Sequence, residues 1–172
     1  MTFLNKRFSI QDLIHLFVIC AFPIHLWAII IMFRLVPSWL LFISKSDIIG
    51  SAAYHLMFTI FETALVFIIL LMIGRLIPKK WTPEPFLTLS FVLLIELTIM
   101  AIVFQHLVQQ YSSFRWMFVS CVIILALSIV VVPKITRLQA LTRILAERLA
   151  VLTFLYVMID AVGVIIVILR NL

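Results

Sequence analysis

The chain has 172 residues, of which 66% are hydrophobic and 12% charged, with a formal net charge of +6 and three glycines. Soluble domains run near half apolar and a quarter charged, so an ordinary cytosolic enzyme is excluded, and a disordered chain more firmly still. Cys20 and Cys121 are the only cysteines and both fall in apolar runs, which excludes a disulfide framework.

The remaining class is an all-α, polytopic membrane bundle forming a single transmembrane domain over residues 1–172. Crossing the hydrocarbon takes roughly 20 mostly apolar residues at about 1.5 Å each. The first expected span covers residues 13–36 and contains Pro23. Lys6 and Arg7 ahead of it resemble a secretory signal, but the run is long and has no small-x-small cleavage site, so an uncleaved span is expected. Pro23 should kink it and free a backbone carbonyl for His25 or a partner to use. Residues 37–49 hold an apolar run, Trp39 to Ile43, that is too short to cross and is expected to lie at the interface.

The second span covers residues 51–73 and ends in a polar break carrying Arg75, Pro78, Lys79, Lys80, Pro83, Glu84 and Pro85. Three prolines in so short a stretch stop a helix. The third span covers 86–108, the fourth, shorter, 116–132 before Pro133, and the last 150–169. Between the last two, residues 134–149 set Ile135, Leu138, Leu145 and Leu149 on one face, with Gln139, Arg143 and Glu147 opposite. That segment is read as an amphipathic cytoplasmic helix on the membrane surface, or as an extension of the last span. The expectation is five spans, with four as the alternative.

Cytoplasmic loops retain Lys and Arg. With the N-terminus inside, nine basic residues (Lys6, Arg7, Arg75, Lys79, Lys80, Lys134, Arg137, Arg143, Arg148) face the cytoplasm and four (Arg34, Lys45, Arg115, Arg170) face out. Five spans then give an N-in, C-out protein, expected in the bacterial cytoplasmic membrane. The positive charge reflects topology and anionic lipid headgroups, not nucleic acid, because it is spread over separate loops.

Three carboxyls fall inside the expected spans: Glu62, Glu96 and Asp160. No Lys or Arg sits as deep, and an ionisable group at the bilayer centre costs at least ~2.5–3.5 kcal/mol, so such residues turn inward and find partners. Helical spacing aligns His55, Thr59 and Glu62; Thr88, Glu96, His106 and Gln110; and Thr153, Tyr156, Asp160 and Gly163. His25 shares their depth. The expected polar core is therefore Glu62, Glu96, Asp160, His25, Thr59 and Tyr156, with Gly163 allowing close helix approach.

Neither H-E-x-x-H, G-x-S-x-G, C-x-x-C nor a glycine-rich phosphate loop occurs. The leading functional expectation is a non-enzymatic subunit or scaffold of a membrane assembly, partnered by lipid and by other subunits or a second copy, without a cofactor. The alternative is a proton- or cation-coupled transporter or channel using Glu62, Glu96 and Asp160. A third reading makes His55 and His106 ligands of a b-type haem in an electron-transfer subunit, or of a metal.

Overall fold

A computed structural model describes residues 8–77, 82–107 and 114–172. Among them are five helices and no strand: α1 (Ile10–Phe42), α2 (Lys45–Leu76), α3 (Pro83–Leu107), α4 (Phe114–Val131) and α5 (Thr136–Asn171), with a single 3-10 turn (Val132–Lys134) before the last. Four of these, α1, α2, α3 and α5, are long and apolar enough to cross a membrane, and α4 is shorter. The chain is thus an all-helical bundle of integral-membrane character. Lys6 and Arg7, the 78–81 part of the polar break and residues 109–113 lie outside the described residues, as do the side chains of His106 and Arg115.

Helix starts are set by local chemistry. Ser9 caps α1: its hydroxyl accepts from the Asp12 amide at 3.1 Å, while the Asp12 carboxylate accepts from the Ser9 amide at 2.8 Å. Ser44 caps α2 in the same way, accepting from the Asp47 amide at 3.3 Å. Each cap satisfies backbone donors that the first helical turn leaves open.

Two expected boundaries are corrected, and one open alternative is decided. The first span does not stop before Pro37: α1 runs through that proline to Phe42. A proline removes only one helical hydrogen bond, and Ser38 just beyond it donates to the Leu35 carbonyl at 2.8 Å. The run Trp39 to Ile43 is consequently not a separate interfacial piece, since α1 passes to α2 across Ile43 and Ser44 alone. Residues 136–149 form one continuous helix with the last span, so the extension reading holds. At 36 residues α5 is roughly 54 Å long, well beyond the ~30 Å hydrocarbon core. Its Leu138, Leu145 and Leu149 are half-buried, while Arg143 and Glu147 pair at 3.5 Å on the exposed face.

α1 and α5 are both central: α1 packs against α2, α3 and α5, α5 packs also against α2 and α3, and α4 lies outside, on α3. The starts of α1, α3 and α5 meet at one end around a core of Phe8, Leu16, Ile19, Phe86, Leu87 and Ala146. At the other end, Arg170 of α5 pairs with Asp47 and donates to the Ser46 carbonyl at 2.9 Å, and Asn171 donates to the Tyr54 hydroxyl at 2.6 Å. α1 and α5 therefore run in the same direction, each antiparallel to α2.

Two glycines make contrasting contacts. A Cβ at Gly163 would stand 2.9 Å from Leu56 Cβ and 3.2 Å from the Ala53 carbonyl, both rigid parts of α2. A Cβ at Gly50 would meet only the guanidinium of Arg170, the movable tip of a long side chain. Gly163→Val is expected to lower stability by about 1–3 kcal/mol through overpacking, whereas Gly50→Ala displaces Arg170 with a much smaller loss. Thermal unfolding in mild detergent checks the ranking, and equal melting of the two variants would contradict it.

Candidate functional site

Midway along α1, Pro23 lacks an N–H and leaves the Ile19 carbonyl without its usual helical donor. The expected use of that freed group by His25 is not what the structure has. His25 Nδ1 lies 2.7 Å from the Ala21 carbonyl, two residues further along, and its Nε2 lies 2.6 Å from Asp160 Oδ2 on α5. Both side chains are shut away, at 3% and 1% exposure. The Tyr156 ring lies one helical turn from Asp160 and stacks on the His25 ring, 6° from parallel with centroids 5.0 Å apart.

Hydrogen counting fixes what this pair carries. A carbonyl oxygen only accepts, so His25 Nδ1 holds a hydrogen. The 2.6 Å contact on the other nitrogen then needs one further proton, shared with Asp160. It is either imidazolium against carboxylate or neutral imidazole against carboxylic acid. Both states are neutral overall. Without that proton, two lone pairs would face each other and a carboxylate charge would be buried uncompensated. Asp160 Oδ1 is buried and has no hydrogen-bond partner among the described residues.

Beside the pair lies a cavity of about 230 Å³ between α1, α2 and α5, lined by His25, Ala28, Met32, His55, Tyr156 and Asp160 among others. His55, half-buried on α2, gives its Nε2–H to the Ala28 carbonyl at 3.0 Å. Thr59 is buried and donates to the His55 carbonyl at 2.8 Å. His25, Asp160, Tyr156, Thr59 and His55 are therefore brought to one place by three helices.

The other expected site residues are not. Glu62 is exposed, with no hydrogen bond or ion pair to a described residue, which corrects its assignment to the polar core. The buried positions of α2, Gly50, Ala53, Thr59, Thr63 and Gly74, define its inner face. At ~100° per residue, Glu62 stands roughly 130° from the middle of that face, past the edge that His55 occupies. Spacing of three and four aligned Glu62 with Thr59 correctly but could not tell which side of Thr59 the core lay on. Glu96 is half-buried on a different seam, where Oε1 accepts from Ser128 of α4 at 2.5 Å and Oε2 has no partner among the described residues. The three carboxyls do not form one network. His106 is in the last turn of α3, and its side chain lies outside the described residues. His55, by donating through Nε2, uses on a backbone carbonyl one of the two nitrogens a haem or metal would take, and no group of three or more His, Cys, Asp or Glu is placed to hold a metal among the described residues.

Ser128 was missed because a lone hydroxyl in an apolar run gives no periodic signal. A second, more polar cavity of about 190 Å³ sits at the end where α1, α3 and α5 start, lined by Asp12, His15, Glu84, Thr88, Thr142 and Arg143 among others. Along α1 the fully buried Leu16 and Cys20 lie between it and His25, roughly 15 Å deeper than His15 at 1.5 Å per residue.

Comparison of the chain with protein-family models, with curated proteins and with solved structures finds no match in any of the three.

If the shared proton and hydrogen bond hold α1 to α5, Asp160→Asn should keep most stability, because its amide can still donate to His25 Nε2. Asp160→Leu should cost about 1–3 kcal/mol by stranding that nitrogen in an apolar interior. Unfolding of both variants in detergent tests this, and a leucine variant as stable as the parent would refute it.

Proposed function

We propose that the chain is a non-enzymatic subunit of a larger membrane assembly, and that a partner's transmembrane helix covers Glu62. The observation that carries this reading is the position of that carboxyl: the middle of a 32-residue apolar helix, exposed and unpartnered among the described residues. Around it Phe58, Phe61 and Leu65 are also exposed. In contact with acyl chains a side chain of this kind costs at least ~2.5–3.5 kcal/mol, and from mid-helix a glutamate is too short to reach the headgroups. Only 11% of the apolar stretch of α2 is buried inside the chain, against 44% for α1.

The partner group that fits is a hydrogen-bond donor at the same depth, a Lys, Arg or amide side chain, since none of this chain's own cations sits there. Aromatic residues flanking the acid supply the van der Waals contact on which helices rely in lipid, where apolar burial drives little. The orientation we propose is N-terminus inside, in a bacterial cytoplasmic membrane. The nine-to-four division of basic residues supports the orientation. The separation of the three carboxyls onto different seams favours assembly over an ion path running through all of them.

Pull-down from native membranes in mild detergent should recover a stoichiometric partner. Glu62→Leu should weaken that association by an order of magnitude or more while leaving the monomer's helicity and melting unchanged. A parent chain that runs as a monodisperse monomer with no partner, or a leucine variant that retains it fully, would refute the reading.

A further inference from the structure

Where α1, α3 and α5 begin, the second cavity, of about 190 Å³, gathers ionisable groups from all three helices. His15 lines it and is only 6% exposed, yet it makes no hydrogen bond or ion pair to a described residue. Nor are its ring nitrogens among the unpartnered atoms that the fold seals off. An enclosed imidazole of this kind presents its nitrogens to the cavity it lines, one as donor and one as acceptor in the neutral ring. Buried polar groups normally find partners, so open nitrogens here call for an occupant.

The surrounding charges say what kind. Asp12 uses Oδ2 to accept from the Ser9 amide and hydroxyl at 2.8 and 2.7 Å, which leaves Oδ1 without a described partner. Glu84, on α3, has no described partner for its carboxylate. Arg143, on α5, meets Glu147 only through Nε at 3.5 Å, so both Nη groups remain available. Two carboxylates outnumber one guanidinium, whose own charge Glu147 already offsets, and the lining therefore favours a cation. Among the described residues no three His, Cys, Asp or Glu side chains are placed to hold a metal ion. The cation that fits is a larger, organic one, and the cavity exceeds the ~150 Å³ that admits benzene.

Depth narrows the choice. His25 stands at the middle of α1, and His15 lies roughly 15 Å nearer its start at 1.5 Å per residue. Half of a ~30 Å hydrocarbon core is the same distance, so the cavity sits where headgroups begin. The ammonium found at that depth belongs to a zwitterionic phospholipid, with a phosphate beside it that a guanidinium binds well. The apolar part of the lining, Ile19, Leu87 and Ala146, belongs to the adjoining core and suits the methylenes of such a ligand.

We propose that this cavity holds the headgroup of a phospholipid carrying a primary ammonium beside its phosphate, the phosphatidylethanolamine class, from the leaflet on the N-terminal side. The ammonium donates to a His15 nitrogen and to Glu84, Asp12 adds negative charge, and Arg143 donates to the phosphate. A trimethylated headgroup has no N–H to give, and a glycerol headgroup has no cation, so the site distinguishes the three. No residue of α2 lines this cavity, so the proposal and the assembly reading at Glu62 stand or fall separately.

The test titrates the full chain, purified in mild detergent, with short-chain phosphatidylethanolamine, phosphatidylcholine and phosphatidylglycerol in parallel. Native mass spectrometry counts bound lipid, and thermal shift follows saturation. One saturably bound phosphatidylethanolamine per chain is expected, with the other two about fivefold weaker or worse. Glu84→Gln, at an exposed position, and His15→Phe should each weaken binding roughly fivefold or more by removing an acceptor from a charged donor. Free phosphoethanolamine should compete only at much higher concentration, and affinity equal to the lipid's would overturn the lipid source. Equal binding of all three lipids, as expected of ordinary boundary lipid, would overturn the proposal. So would a cavity that takes up water alone, giving no saturable binding, or binding that Glu84→Gln leaves unchanged. Should the buried His15→Phe variant not fold, the exposed Glu84→Gln variant decides.

Discussion

The middle of this bundle depends on one proton. His25 has committed Nδ1 to the Ala21 carbonyl, so the remaining nitrogen and Asp160 must share a hydrogen or repel. That requirement makes the contact between α1 and α5 both specific and neutral. In an apolar interior a neutral pair with a short hydrogen bond is tolerable, where either charge alone is not. Because α1 and α5 each pack against α2 and α3, fixing one against the other fixes the register of these four helices. The close approach at Gly163 then draws α2 onto α5, and the His55 contact with Ala28 ties α2 back to α1. The cavity is what remains where the three helices, held at these points, do not fill the space between them.

Three carboxyls of similar depth have three different surroundings. Asp160 is enclosed and matched to an imidazole. Glu96 meets a single hydroxyl on the peripheral helix α4, with its second oxygen unmatched among the described residues. Glu62 meets nothing in its own chain that is described. The chemistry of the residues is nearly the same, so the difference lies in which neighbouring helix each one faces. A buried pair serves the chain's own fold, while an acid left on the outside directs attention to what the outside touches. The same logic separates the cavity from the assembly surface, since one is bounded by α1, α2 and α5 and the other by the face of α2 turned away from them.

Much of the architecture was legible in the sequence because hydrophobic length is a local property. The long apolar runs, the proline-rich break after Arg75 and the polar stripe Thr153, Tyr156, Asp160 and Gly163 follow from counting along the chain. The boundary between α1 and α2 also has a local signal. Ser44 with Asp47 three residues on is a helix-start signal, and it shows that Trp39 to Ile43 must finish α1. A proline weighed alone overstated the break at Pro37, because one lost hydrogen bond is small against a long apolar run that remains better off helical in lipid.

By itself the sequence determined that the chain is helical, of integral-membrane character, and obliged to settle a few ionisable groups far from water. These follow from composition and from the cost of exposing backbone and charge in hydrocarbon, which each segment meets independently. Only the tertiary structure decided that His25 and Asp160, 135 positions apart, are partners, and that Glu62 is not. Helical spacing specifies an angle round each axis but not where the neighbouring axes stand. That placement comes from packing among all the helices at once.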